Sequence, residues 1–143
     1  MKVREIMSSS VIPIDPAESV EVAARTLAQY NIGSLPVCGS DGKLCGVVTD
    51  RDLVTRCVAA GKQPGKTAVR EVMTGSVTAV QPDMEASVAA HLMGRCQIRR
   101  LPVVENGKLC GMLSLGDLAK REVSIMDAAD ALGDISENLT TEE

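Results

Sequence analysis

The sequence predicts an α+β protein: two tandem, pseudo-symmetric copies of a β-α-β-β-α unit packed as one module. Three observations predict it. The chain repeats itself, both copies carry the same order of extended and helical patterns, and a single copy of ~60 residues is marginal on its own.

The repeat is direct. Val3-Arg4-Glu5-Ile6-Met7 returns as Val69-Arg70-Glu71-Val72-Met73, a shift of 66 residues. The same shift carries Ser10-Val11 onto Ser76-Val77, Pro16 onto Pro82, and Leu35-Pro36-Val37 onto Leu101-Pro102-Val103. Past the first hairpin the shift is 65, mapping Gly42-Lys43-Leu44-Cys45-Gly46 onto Gly107-Lys108-Leu109-Cys110-Gly111. The change falls in a turn, where chain length is tolerated best. The copies are placed at 1–66, with a linker around Gln63-Pro64-Gly65, and at 67–126. Residues 127–143 read as a helix end and a polar tail.

Each copy opens on a short extended run, 11–14 and 77–80, closed by Pro16 or Pro82. A helix follows. Val20, Ala23, Ala24 and Leu27 keep the spacing of one buried face, and Ala86, Ala89, Ala90 and Met93 repeat it. Two apolar runs, 35–38 and 44–48, flank Gly39-Ser40-Asp41-Gly42 and predict a hairpin. The second hairpin turns at Glu105-Asn106-Gly107, whose Asn-Gly is a strong turn signal. A second helix follows each hairpin, at 50–60 before Gly61, and from 115 toward 132 before Gly133.

Composition narrows the function. The chain has 143 residues, 45% of them hydrophobic, yet one Tyr and no Phe or Trp, so the core is aliphatic. Stacking platforms for single-stranded nucleic acid are therefore almost absent. The net charge of −4, with Glu137, Glu142 and Glu143 at the C-terminus, argues against a nucleic-acid partner. No apolar run reaches a membrane span, and no signal-peptide pattern follows Met1. Five Cys without a C-x-x-C pair, and a single His, argue against both a zinc site and a disulfide framework. A reduced cytoplasm is the expected home. Cys45 and Cys110 match across the repeat and read as small core residues; Met7 and Met73 also match and read as core. His91 reads as a surface residue and Tyr30 as partly buried packing.

The copies share one step that could carry chemistry. Each third strand ends in a hydroxyl with a carboxylate three residues on: Thr49 with Asp52, and Ser114 with Asp117. Such spacing makes a helix cap. It also makes a ligand site, because a helix start offers N–H groups and a positive dipole to a phosphate. A carboxylate one turn along accepts the two hydroxyls of a ribose. Both readings use the same atoms.

The duplicated plan, the Gly-x-x-Thr/Ser-x-x-Asp step at the end of each third strand, and the Val-Met-Thr signature at Val72-Met73-Thr74 resemble the CBS domain pair, or Bateman module. The resemblance runs from about residue 3 to residue 120. It implies a stand-alone, regulatory CBS-domain protein with clefts between the two repeats for AMP, ADP, ATP or S-adenosylmethionine. It implies that Asp52 and Asp117 hold ribose hydroxyls while Thr49 and Ser114 reach phosphate. The base would lie among Val11, Ile12, Pro13 and Pro36 in one copy, and among Val77, Thr78, Ala79 and Pro102 in the other. The resemblance also implies a homodimer assembled through helices, and an unidentified protein that it regulates.

The copies are not equal. Arg99 and Arg100 stand where the first copy has Gly33 and Ser34. They are phosphate-contacting residues by the resemblance, or solvated surface charge. Asp50 adds a carboxylate at the first site that would oppose a phosphate. The expectation is a phosphorylated ligand at Asp117 and a weaker or less anionic one at Asp52. No catalytic grouping is expected, no metal, and no cofactor beyond the nucleotide itself. The alternative is a dimerisation or interaction module whose clefts are vestigial.

Overall fold

Each half of the chain builds one antiparallel hairpin and lays helices against it. The computed structural model describes residues 1–121 and 124–141, with side chains through residue 137. Glu142 and Glu143 lie outside the described residues. The order is α1 (Val20–Tyr30), β1 (Ser34–Cys38), β2 (Leu44–Thr49), α2 (Asp50–Leu53), α3 (Ala86–Cys96), β3 (Arg100–Glu105), β4 (Lys108–Ser114), α4 (Leu115–Ala119) and α5 (Ile125–Thr141). The chain is thus α+β, as expected, with β1 paired to β2 and β3 to β4.

Two differences from the expected plan are local. The runs at 11–14 and 77–80 are not full strands; each touches its hairpin at one residue, Ile14 beside Val37 and Val80 beside Val103, both parallel. The second copy's last helix is not continuous either. It breaks after Ala119 and resumes at Ile125, then runs through Gly133 to Thr141, so the expected polar tail is helical and Ile135 is buried. Nothing lies near Gly133 and its φ is ordinary, so a glycine there does not compel a stop.

The helices end as their residues require. Asn31 and Gln97 close α1 and α3 in the left-handed conformation. Asn106 and Gly107 both have positive φ, the turn that Asn-Gly favours. Ser19 caps α1 by accepting the Val22 N–H.

The compact units do not coincide with the sequence repeats. Residues 12–77 form one unit, and residues 1–11 with 78–143 form the other. The reason is where the Val-Arg-Glu segments find partners. Val69 and Arg70 donate their N–H groups to Glu18 and Pro16, and Val47 and Thr74 exchange a pair of hydrogen bonds of 3.0 and 2.9 Å. In the other unit Val3 and Arg4 donate to Met84 and Pro82, and Ser8 and Met112 exchange two bonds of 2.9 Å. Each segment therefore completes the hairpin of the copy that does not contain it in sequence.

Both cores are aliphatic. Leu35, Val37, Val48, Val69 and Val72 are fully buried in one unit, and Val3, Met93, Leu101, Val103 and Leu113 in the other. Met7 and Met73 pack at the edges of their cores. Ala24 is exposed, whereas its partner Ala90 is buried. Helix α5 accounts for that difference: it packs on α3 so closely that a Cβ at Gly94 would lie 2.6 Å from Asp134 Oδ2. At the place of Gly94 the first copy has Ala28, which is exposed.

Cys45 is not a core residue, and Cys110 packs only at the edge of its core. Cys45 is exposed and Cys110 half-buried. Each is the extra residue of a β-bulge, opposite the Val37–Cys38 and Val103–Val104 steps. Its thiol donates at 3.3 Å to the carbonyl of Val37 or Val103. Desolvation pushes both thiols up, which keeps them protonated at neutral pH. Cys38 and Cys57 fill the core instead. Tyr30 is 49% exposed.

Candidate functional site

The two repeated steps fold alike. Thr49 and Ser114 end their strands with extended backbone and start the next helix. Thr49 Oγ1 accepts the Asp52 N–H at 3.0 Å, and Asp52 Oδ2 accepts the Thr49 N–H at 3.0 Å. The second copy repeats this at 3.0 and 2.9 Å with Ser114 and Asp117. Capping is therefore real in both. It also fixes the hydroxyl and the carboxylate side by side, with one carboxylate oxygen still to be accounted for.

Capping gives a measurable expectation. Ser114→Ala is expected to lower stability by about 1 kcal/mol in chemical denaturation. An unchanged midpoint would mean the hydroxyl contributes no cap.

Around these shared atoms the copies differ. In the first, the Asp50 carboxylate accepts the Arg51 N–H at 2.8 Å, filling a helix-start amide that a phosphate would use. In the second, Leu115 and Gly116 occupy these places. Leu115 has no carboxylate, and no hydrogen bond to the Gly116 N–H occurs among the described residues. The amide before each is already committed, Asp50 to Gly33 at 3.0 Å and Leu115 to Arg99 at 2.8 Å.

Arg99, Arg100 and Ser114 line one cavity of about 590 Å³, with Leu115 and Gly116. Its lining also includes Ala119 of α4 and Ile125, Ala128, Ala129 and Leu132 of α5. That size lies within the range of small-ligand pockets. Both arginines are exposed at its edge and form no salt bridge among the described residues. A cavity lined by two arginines, a hydroxyl and several aliphatic groups suits an anion carrying an apolar part.

The other expected residues are placed as follows. Pro36 and Pro102 are buried in β1 and β3, and their carbonyls accept the N–H groups of Ile14 and Val80 at 3.0 Å. That bond sets the ends of the Ile12-Pro13 and Thr78-Ala79 segments beside the two prolines. Ile12, Thr78 and Ala79 are half-buried and Pro13 is exposed. Thr78 Oγ1 lies 3.8 Å from Cys96 Sγ. Val11 and Val77 fall at the ends of their compact units, each in the unit that does not hold its expected neighbours. Asp117, Thr78, Ala79 and Pro102 do not line the 590 Å³ cavity.

Sequence reasoning missed two contributors. One is the wall supplied by α5, which lies beyond the repeat. The other is Arg56, whose Nη1 stands 3.7 Å from Asp52 Oδ1. The i, i+4 spacing of Asp52 and Arg56 on a helix was the available signal.

Among the described residues no three His, Cys, Asp or Glu come together as a metal site, and His91 is exposed. No helix is long and apolar enough to cross a membrane among them.

Comparison with known proteins adds the following. The CBS domain family matches residues 3–59 and 69–124. CBS domain-containing protein YhcV of Bacillus subtilis is 39% identical over 134 residues, spanning 94% of this chain and 94% of that protein. Hypoxic response protein 1 of Mycobacterium tuberculosis is 32% identical over 117 residues, 82% of each chain. The solved structure of a Hypoxic Response Protein I, with two coordinated zinc ions, superposes with a TM-score of 0.79 at 30% identity, covering 85% of this chain and 98% of that one. The CBS domain pair of MJ0100, solved with 5'-methylthioadenosine and S-adenosyl-L-methionine, has a TM-score of 0.75 at 27% identity, covering 84% and 94%.

Proposed function

The chain belongs to the CBS domain family, and from that premise we propose that it is a regulatory module that binds an adenosine-containing nucleotide and alters a partner protein's behaviour. The observation that carries this reading is the hydroxyl–carboxylate step, built twice in one geometry and flanked in the second copy by two arginines and an open cavity. Asp117 takes the ribose diol, and Ser114 with Arg99 and Arg100 takes the phosphate. The bound adenosine compounds of the MJ0100 domain pair support this ligand class.

The second copy is the site for a phosphorylated ligand. Asp50 supports that assignment by filling the Arg51 amide and adding negative charge at the first copy, so a less anionic ligand, such as a thioether or sulfonium nucleoside, is favoured at Asp52. Catalysis is not part of the proposal. A homodimer is proposed from exposed apolar groups on the helices outside the cavity, Val54 and Val58 in one unit and Met126 in the other.

The test is thermal unfolding of the purified protein with AMP, ADP, ATP or S-adenosylmethionine. At about 100 times Kd a ligand adds roughly 2.7 kcal/mol, which raises Tm by about 5 °C or more for a chain of this size. A flat response to all four would favour the interaction module with vestigial clefts.

A further inference from the structure

Arg56 breaks the symmetry of the two carboxylates. Its Nη1 donates to the Val72 carbonyl at 2.9 Å and to Thr74 Oγ1 at 3.2 Å, and the same nitrogen lies 3.7 Å from Asp52 Oδ1. Because Asp52 Oδ2 is committed to the cap, both carboxylate oxygens are engaged. The Asp52 side chain is 12% exposed.

The equivalent residue in the second copy is Arg121, and it does something else. It donates to the Glu5 carbonyl at 3.3 Å and makes no ion pair with Asp117 among the described residues. Helix geometry is the cause. After α2 the first copy continues as a π-helical turn, Val54–Val58, which holds Arg56 on the same face as Asp52. Helix α4 stops at Ala119, so Arg121 lies past the helix end and is not carried back over Asp117. Asp117 is correspondingly half-buried and not covered.

We propose that Arg56 is an internal competitor for the ribose position at Asp52, so that the Asp117 copy fills first and the Asp52 copy binds only when the guanidinium is displaced. This rests on the nucleotide reading above. A ribose diol needs the carboxylate oxygen that Arg56 faces, and the guanidinium is tethered there by two further acceptors. The residue therefore decides how many ligands one chain holds at a given concentration. It is a specificity-determining residue in a site otherwise built like its twin.

The experiment is isothermal titration of the full chain with AMP, and with adenosine as the uncharged probe, in an Asp117→Asn background that leaves the first copy as the main site. Adding Arg56→Gln, which keeps a donor for the Val72 carbonyl but removes the charge, is expected to tighten adenosine binding about tenfold. Arg56→Met, which keeps the stem's bulk, is expected to do the same and serves if the Gln variant does not fold. Arg56→Lys keeps a cation near Asp52 and is expected to stay weak. With Asp117 intact, Arg56→Gln is expected to raise the bound adenosine from one to two per chain. Unchanged or weaker binding in both neutral variants, while the unsubstituted protein binds through Asp117, overturns the competitor role. If the unsubstituted protein itself binds neither probe, the nucleotide reading fails first, a pattern distinct from that one.

Discussion

Asp117→Ala is expected to weaken AMP binding about 100-fold, the largest functional effect of any single substitution in this chain. Two hydroxyls of a ribose would each donate to one carboxylate, and hydrogen bonds to a charged acceptor are the strong ones. Asp117 has a second role, since its Oδ2 accepts the Ser114 N–H at 2.9 Å. Removing it leaves that amide without its partner at about 1 kcal/mol or more, so lost affinity alone does not separate binding from folding. Asp117→Asn does separate them. Its amide oxygen still accepts the Ser114 N–H while the charge and one acceptor are gone. The Asn variant is expected to melt close to the unsubstituted protein and still lose most of its AMP affinity in titration. Full affinity in a folded Asn variant would remove Asp117 from the site.

Gly111→Val is expected to cost about 3 kcal/mol or more in chemical denaturation. A Cβ at Gly111 would stand 2.7 Å from Met7 Sδ and 2.9 Å from the Ser8 carbonyl oxygen. Methionine can swing aside, but the Ser8 oxygen belongs to the backbone pair with Met112. The added group therefore forces the N-terminal segment off β4, and Val3 and Ile6 come out of the core with it. Gly46 faces the same contacts from Met73 and Thr74, at 2.7 and 2.8 Å. Gly133→Ala is the control, since nothing lies near it and α5 is helical there; it is expected to gain about 0.5–1 kcal/mol. A Gly111 variant as stable as the control would mean the segment is not held by this approach.

Much of the plan is legible in the chain. The repeat, the hairpins, the Asn106-Gly107 turn and the paired caps at Thr49–Asp52 and Ser114–Asp117 follow from local patterns, because caps and turns are satisfied by residues within a few positions of each other. The repeat also shows that Asp52 and Asp117 cap their helices alike. What it does not show is where the repeated segments pack. Val3 and Val69 look equivalent in sequence, yet each is buried against the hairpin of the other copy, a choice made by burial and backbone pairing over long separations.

The inequality of the two copies was only half visible. Arg99, Arg100 and Asp50 can be read as charges at matching positions. The wall that α5 adds to the 590 Å³ cavity, and the reach of Arg56 to Asp52, depend on which helix continues and which one breaks. By itself the sequence determined the duplication, the two hairpins and the residues that cap the helix starts after them. The tertiary structure decided which carboxylate is covered, because the π-helical turn after α2 carries Arg56 over Asp52 while the end of α4 leaves Asp117 uncovered.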